Sequence, residues 1–402
     1  LLDIADRLGF SLAKLPGIAN FNHDVDQVDI KPVAIEDLLG RPQKTPNFGR
    51  REKLIEGKKI LITGAGGTIG GELVRQIIQF KPAAIIMIDI CEYNLYQIDK
   101  TVSEVAPDLP RISLIGDVRN FTFLKGIFAA QKPDLIFHAA ALKHVPLVEE
   151  NLSEACLTNI IGSKNIADLS AYYKVQKMVM ISTDKAVNPT SFMGTTKRAA
   201  ECYVQALGNK DDNVSTDFVT VRFGNVLGSS GSVIPLFEKQ LKHKGPLTVT
   251  HPDMKRYFMT VPEAVELILQ ASTMHNEEEK KKSAIFVLDM GEQILIKDLA
   301  IKMIKLAGLR PEIDVDIEYT GVRPGEKLYE ELFYVYETSQ ETVYEGIFHA
   351  KAMALDYDSI NSHIDNMAYA IDRGEIDEML KQVFSLVPEY KGALKQDEKE
   401  IA

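Results

Sequence analysis

Residues 58–80 read KKILITGAGGTIGGELVRQIIQF, and this stretch decides the fold. Ile60, Leu61 and Ile62 make an apolar run of strand length, and Gly64, Gly66, Gly67 and Gly70 follow at once. Beyond them Leu73, Val74 and Ile77 return at helical spacing. Strand, glycine-rich turn and amphipathic helix in that order open a βαβ unit. Taken as Gly64-x-x-Gly67-x-x-Gly70, the turn is a variant of the dinucleotide fingerprint. Glycine permits a tight turn and lets backbone approach a pyrophosphate at the helix N-terminus. Gly64, Gly67, Thr68, Ile69 and Gly70 are therefore candidate cofactor contacts. Asp89 stands 19 residues past Gly70, at the end of the next apolar run, where an acid would bind ribose hydroxyls. A carboxylate there repels a 2′-phosphate, so the pattern favours NAD over NADP.

The pattern continues outward. AAIIMID (83–89), RISLIGD (111–117), PDLIFHAAA (133–141), KMVMISTDK (177–185) and DFVTVRFGNVLG (217–228) read as further strands. Helices are predicted between them over 95–105, 121–130, 153–173 and about 196–207. Nearly continuous Val/Ile/Leu strands alternating with helices imply a parallel sheet covered on both faces. The expected fold class is α/β, a Rossmann-like doubly wound parallel sheet with a smaller C-terminal lobe. We divide the chain into a connector over 1–56, a dinucleotide-binding domain over 57–228, a substrate-binding lobe over 229–335 interleaved with the sheet, and a helical extension with a charged tail over 336–402. Asp117 and Val118 follow the third strand, where an adenine edge would be read. Ala139, Ala140 and Ala141 end the fourth, and their small side chains would let a flat cofactor cross the sheet edge.

The chain has 402 residues, with 46 Lys plus Arg against 57 Asp plus Glu, a net charge of −11. That balance argues against a nucleic-acid partner. Three scattered cysteines, Cys91, Cys156 and Cys202, suit neither a disulfide scaffold nor a zinc site, and no metal is expected. His243 and His251 have no ligand partner at metal spacing. No apolar run approaches the roughly 20 residues of a membrane span, and no signal peptide is evident. The chain opens on Leu1 rather than Met, so it is read as a piece whose upstream part is absent. Residues 228–231, GSSG, lack the strand–Ser–helix elbow of a hydrolase.

Chemistry concentrates after the fifth strand. Ser182, Thr183, Asp184 and Lys185 sit at the carboxyl end of a central strand, where α/β sites collect. Asp184 is an acid and Lys185 a base on one turn. Met193 and Lys197, four apart, share a helix face.

Seven motifs carry a resemblance: TGAGGTIG (63–70), HAAALKHVPLVE (138–149), TNIIGS (158–163), STDKAVNPTSFMGTTKR (182–198), VRFGNVLGSSGSVIPLF (221–237), HPDMKRYFMT (251–260) and GVRPGEKLYEEL (321–332). The chain resembles the polysaccharide-biosynthesis nucleotide-sugar 4,6-dehydratases that act on UDP-N-acetylglucosamine, within the extended short-chain dehydrogenase/reductase superfamily. Residues 1–56 look like the connector of the long members, which follows a membrane-anchored region. The resemblance implies a cytoplasmic portion of an inner-membrane-anchored bacterial protein, and a homodimer or higher homo-oligomer. One departure from the wider superfamily stands out. The Tyr of its Tyr-x-x-x-Lys pair is Met193 here, and a thioether cannot take a proton. The long members are similar in this.

The chemistry such a site needs follows from the sugar. A C5 hydrogen becomes acidic only when C4 is a ketone, so hydride must leave C4 before water is lost across C5 and C6. Lys185 is the expected H5 base, Asp184 the acid for O6, Thr183 the hydrogen-bond partner of O4, and Lys197 the holder of the nicotinamide ribose. Asn159 joins the expected cofactor contacts. Arg256 and Arg323 are expected on the diphosphate, Asn225 and Val226 on the sugar nucleotide, and Glu326 on the uridine ribose. Lys143 and His144 are expected to face the substrate. The competing readings are a C5-inverting dehydratase, a UDP-sugar 4-epimerase and a non-catalytic NAD-binding protein.

Overall fold

The computed structural model describes residues 48–210, 215–274, 282–351 and 356–392, together with the paired dipeptides Ala13–Lys14 and Lys31–Pro32. The other residues of the connector and the charged tail lie outside the described residues. By their packing the residues form two units. The larger comprises Lys44–Gly224, Val261–Met290 and Arg323–Ala402; the smaller comprises Leu1–Gln43, Asn225–Thr260 and Gly291–Val322.

The larger unit is built on a nine-stranded sheet. Its strands are β1 (Lys59–Thr63), β2 (Ala84–Asp89), β3 (Arg111–Ile115), β4 (Leu135–His138), β5 (Lys177–Thr183), β6 (Asp217–Phe223), β7 (Ser283–Leu288), β8 (Thr338–Glu341) and β9 (Ile347–Lys351). The order is β3-β2-β1-β4-β5-β6-β7-β9-β8. The first seven run parallel; β9 lies antiparallel to β7, and β8 antiparallel to β9. The order reverses between β1 and β4, which opens a crevice at the strands' carboxyl ends. Thr63 is level with His138 there.

The longer helices of this unit are α1 (Thr68–Ile77), α2 (Glu92–Val105), α3 (Phe121–Gln131), α4 (Gly162–Tyr172), α5 (Phe192–Gly208), α6 (Val261–Ser272), α7 (Tyr357–Asp372) and α8 (Ile376–Leu386). On α1 the buried residues are Gly70, Gly71, Leu73, Val74 and Ile77, the stripe the sequence spacing set out. Each large apolar side chain sealed in this way contributes roughly 1.5–3 kcal/mol. Helix α5 is buried along its whole length.

Three expectations change. The lobe expected over 229–335 is not continuous. Residues 261–290 return to the large sheet as α6 and β7, and Lys177 on β5 donates to the carbonyls of Ser272 and Met274 at the end of α6. The helix expected over 153–173 is interrupted: Leu152–Ala155 leads into a wider π turn at Cys156–Ile161 before α4. The extension after residue 336 contributes two strands to the sheet as well as the expected helices.

The smaller unit is held by short strand pairs. Asn225–Val226 runs parallel to Phe258–Met259, Leu247–Val249 parallel to Ile317–Tyr319, and Lys255–Arg256 antiparallel to Ile294–Leu295. Helices Val233–Lys242 and Ile296–Leu306 bury Ile234, Phe237, Leu299, Ala300 and Met303 in its core.

Candidate active site

The glycine turn is shaped by close approach. Gly64 has φ +66°, and a Cβ there would meet the Ala140 nitrogen at 2.8 Å. A Cβ on Gly70 would sit 1.9 Å from the Gly64 carbonyl oxygen. Gly67 caps α1 and its N–H donates to that same carbonyl at 3.0 Å. Thr68, Ile69 and Gly70 form the first turn of α1, where backbone N–H groups face out of the helix end. Asp89, nearly buried, accepts the Gly66 N–H at 2.9 Å and the Cys91 N–H at 2.8 Å. Each carboxylate oxygen keeps a further lone pair for a ribose hydroxyl. The glycine-lined cradle at a helix N-terminus and the acid at the next strand end fit a dinucleotide.

Asp117 bonds the Arg119 N–H and guanidinium at 2.9 and 2.6 Å. Burial alone would raise its pKa, but these bonds and the Arg119 charge hold it below the usual carboxylate value. Val118 is buried, and Asn165 on α4 donates to its carbonyl.

A line of hydrogen bonds crosses beneath the crevice. His138 Nδ1 lies 2.7 Å from Thr63 Oγ1, and its Nε2 lies 3.0 Å from Ser163 Oγ. Ser163 donates to the Asn159 carbonyl at 2.7 Å, so its oxygen is left to accept from His138 Nε2–H. Burial, and then the Lys197 charge, push the His138 pKa down to about 3, and the ring is neutral. Asn159 sits in the π turn, fully buried. Its amide accepts the Leu142 N–H at 2.8 Å and donates to the Leu142 carbonyl at 3.0 Å and to Thr196 Oγ1 at 2.9 Å. Both amide protons are thus spent inside the protein. The side chain expected on the cofactor instead fixes the segment after β4, which carries Ala139, Ala140, Ala141, Lys143 and His144.

The turn after β5 brings the expected chemical groups together. Asp184 is fully buried. Its Oδ1 accepts Thr183 Oγ1 at 2.9 Å and Lys185 Nζ at 3.0 Å. Its Oδ2 is buried with no hydrogen-bond partner among the described residues. Lys143 keeps part of its surface in solvent. The protein packed around its ammonium, and secondly the Lys185 charge, lower its pKa. His144 is lowered by burial and by Lys143. On α5, Ser191 caps the helix by accepting the Gly194 N–H at 3.1 Å, and Glu149 accepts the Phe192 N–H at 2.7 Å. Met193 is buried one turn before Lys197. Lys197 Nζ donates to the Ile181 carbonyl at 2.8 Å, and burial pushes its pKa down to about 8, against the pull of Glu201.

Arg323 and Glu326 are bonded through their own turn: the Glu326 N–H donates to the Arg323 carbonyl at 3.0 Å. Asn225, Val226 and Arg256 belong to the smaller unit. There Asn225 donates its N–H to the Tyr257 carbonyl, and the nearly buried Arg256 donates to the Lys255 carbonyl at 2.7 Å.

Sequence reasoning missed a buried ionic cluster beside the turn. Glu201 accepts Ser182 Oγ at 2.6 Å, Arg222 at 2.9 and 2.7 Å, and Arg198 at 3.3 Å. Arg222 also forks onto Glu337 at 2.9 and 2.8 Å. Tyr334, with the Arg198 guanidinium 4.8 Å from its ring centre, donates its hydroxyl to the Ala186 carbonyl at 2.7 Å. Arg198 and Glu201 stand three apart on one helix, but no spacing rule in the sequence joins them to Ser182, Arg222, Glu337 or Tyr334. Among the described residues no group of three or more His, Cys, Asp or Glu is placed to hold a metal ion, and no helix is long and apolar enough to cross a membrane.

A doubly wound sheet with a dinucleotide turn at its switch point is the architecture of the extended short-chain dehydrogenase/reductases; here the Asp184–Lys185 pair follows β5. Residues 60–352 match the family described as "Polysaccharide biosynthesis protein", and the chain belongs to that family. It is 46% identical over 345 residues to the capsular polysaccharide biosynthesis protein CapD of Staphylococcus aureus, a match covering 85% of this chain and 56% of that protein. It is 44% identical over 338 residues to the probable polysaccharide biosynthesis protein EpsC of Bacillus subtilis (strain 168), covering 84% and 55%. The chain thus spans little more than half the length of these relatives. Among solved structures it resembles Pen from Bacillus thuringiensis, with 35% identity, a TM-score of 0.67, and coverage of 74% of this chain and 87% of that one. The family is the one to which the motifs pointed.

Proposed function

We propose that the chain is an NAD-dependent 4,6-dehydratase of UDP-N-acetylglucosamine, giving a UDP-4-keto-6-deoxy-N-acetylhexosamine with C5 configuration retained. The observation that carries this is Asp184: a fully buried carboxylate with Thr183 and Lys185 both on Oδ1 and Oδ2 left without a partner among the described residues. A buried carboxylate oxygen without a hydrogen bond costs free energy, and such groups persist where they react. The glycine turn and Asp89 would hold NAD, whose nicotinamide would supply hydride exchange between C4 and C6.

The proton steps belong to the chain. Thr183 accepts the O4 proton and passes its own along the 2.9 Å bond to Asp184. This supplies the route that Met193 cannot. Neutral Lys185 then takes H5 while Asp184 gives its proton to the departing O6 hydroxyl. Lys185 returns its proton to C5 from the face it came from, which retains configuration. Asp184 ends as carboxylate and Lys185 as amine, as they began. The Lys143 charge opposes a second ammonium nearby and favours the neutral form of Lys185.

Gly64, Gly67, Thr68, Ile69, Gly70, Asp89, Asp117, Val118 and Ala139–Ala141 are the proposed NAD contacts, with Lys197 on the nicotinamide ribose. Asn159 acts by holding the Leu142 backbone. Arg256, Arg323, Asn225, Val226, Glu326, Lys143 and His144 are the proposed UDP-sugar ligands. The family suggests a role in bacterial surface glycan synthesis. The test is product NMR after incubation with UDP-N-acetylglucosamine. A 4-keto-6-deoxy sugar is expected, and Lys185→Ala and Asp184→Asn should abolish turnover while NAD stays bound. Near-normal activity in both variants, or a product that keeps its C6 hydroxyl, overturns the assignment.

A further inference from the structure

The catalytic turn is gripped by a segment more than a hundred residues away in sequence. Lys327 Nζ donates to the Val187 carbonyl at 2.8 Å, and Tyr334 Oη to the Ala186 carbonyl at 2.7 Å. Thr190 donates to the Gly325 carbonyl at 2.9 Å, and Asn188 to Glu331 at 3.0 Å. Asn188 takes the left-handed conformation, φ +43°, which asparagine accepts more readily than most residues. A Cβ on Gly325, at φ +75°, would press Ser191 at 3.1 Å, so backbone meets backbone here. Four hydrogen bonds therefore fix where Asp184 and Lys185 stand.

One member of the segment reaches the reacting group itself. Glu330 is 4% exposed, and its Oε1 lies 3.8 Å from Lys185 Nζ. Its other oxygen lies 4.0 Å from Lys327 Nζ, the ammonium that holds Val187. Lys185 Nζ is thus flanked by two buried carboxylates, Asp184 at 3.0 Å and Glu330 at 3.8 Å.

We infer that Glu330 is a positioning residue that acts through Lys185: its carboxylate stabilises the ammonium that Lys185 becomes when it takes the C5 proton. The inference rests on the reading of Lys185 as the base. Asp184, 3.0 Å away, gains its charge only as it gives its proton to O6, so at the start of the step Glu330 is the carboxylate beside Lys185. Glu330 neither gives nor takes a proton in this step and is not consumed. The step is balanced without it: the C5–H bond breaks, the N–H bond forms, and the electron pair moves into the C5–C6 double bond as hydroxide leaves C6 with the Asp184 proton. What Glu330 changes is the strength of the base. Among the described residues, the charged groups near Lys185 include Asp184 on its own turn, Lys143 after β4 with His144 beside it, and Glu330 with Lys327 and Glu331 on the gripping segment. Asp184 and Glu330 favour the ammonium; Lys143, and through Glu330 also Lys327, oppose it.

The test uses Glu330→Gln, which removes the charge and keeps the shape, in two measurements. The first does not require turnover. Lys185, with 20% of its side chain accessible, is acetylated competitively with acetic anhydride over a range of pH and followed by peptide mass spectrometry. Loss of an opposite charge this close should lower its reactivity midpoint by about 1 unit or more. The second is kcat against pH with UDP-N-acetylglucosamine: the acid limb should move down by the same amount, with a lower plateau and little change in KM. Glu331→Gln removes the neighbouring carboxylate, which bonds Asn188 instead, and should leave the labelling midpoint in place. Glu330→Asp should restore part of the shift. An unmoved Lys185 midpoint in Glu330→Gln, or an equal shift in Glu331→Gln, overturns the inference. If the midpoint moves but wild-type protein forms no keto-sugar, the charge coupling stands, its assignment to a C5 step falls, and the dehydratase reading fails with it.

Discussion

Glu201→Gln removes one negative charge and almost no volume from a closed ionic cluster. In the wild type both carboxylate oxygens are fully used: Ser182 and the Arg222 Nε on one, Arg222 and Arg198 Nη atoms on the other. Glutamine must turn an amide N–H towards guanidinium or hydroxyl donors, so at least one buried donor loses its acceptor. Breaking a buried pair on one side costs about 3–5 kcal/mol. Arg222 keeps Glu337 and Arg198 keeps Glu389, which favours the lower figure. At about 2 °C per kcal/mol for a unit this large, Tm should fall by roughly 6–10 °C. Differential scanning calorimetry at neutral pH measures this, with Arg373→Gln as reference. That change removes an exposed 2.6 Å pair with Glu375 and a 3.2 Å hydrogen bond to the Tyr369 hydroxyl, and should move Tm little. The pH dependence carries a second check. Burial alone would raise the Glu201 pKa, but the Arg222 charge and hydrogen bond, with help from Arg198 and Ser182, hold it below its ordinary 4.5. A lowered folded-state pKa means that stability is present above the unfolded value and lost as pH falls through the folded one. The Tm gap between wild type and Glu201→Gln should therefore narrow once the pH drops below about 4.5. A Tm loss no larger than that of Arg373→Gln, or a gap that stays constant into acid, would refute the role given to this cluster.

Two further changes test the cofactor side. Gly70→Ala drives a methyl into the Gly64 carbonyl at 1.9 Å and must displace the turn, whereas Gly71→Ala meets nothing nearer than 3.4 Å. NAD titration should show binding lost in the first and kept in the second, and a displacement of order 1 Å should cost turnover ~10²-fold. Asn159→Ala takes the side-chain partner from the part-buried N–H and C=O of Leu142, bonds worth about 0.5–1.5 kcal/mol each. Hydrogen exchange over residues 139–143 should rise in that variant, and Asn159→Asp, which can still accept from Leu142 but not donate to it, should fall between.

What the sequence disclosed and what it withheld divide by range. The strand, turn and helix of residues 59–77 are governed by neighbours a few positions apart, so spacing alone located them, down to the buried stripe on α1. The strands after them were equally plain, because a strand sealed on both faces must be apolar throughout. Helix ends were harder. Lys81, Lys132 and Lys174 take the left-handed conformation that usually marks a glycine, at φ +51°, +50° and +54°, so no residue type announced those stops. The return of residues 261–290 to the sheet was hidden for a different reason: an apolar helix followed by an apolar strand carries no sign of the unit it will join.

The same division runs through the site. Asp184, Lys185, Met193 and Lys197 lie within 14 residues of one another, and their grouping could be read directly. Glu330 and Glu331 could not be told apart in GVRPGEKLYEEL, yet the fold sends one to Lys185 and the other to Asn188. Asn159 looked like a cofactor ligand because it stands in a motif; the π turn that carries it aims its amide at Leu142 and Thr196 instead. Local sequence thus specifies which groups can move protons here. Burial and then the Lys185 charge lower the Lys143 pKa, and Glu330 stands 3.8 Å from Lys185 Nζ; both neighbours are supplied only by the closed chain.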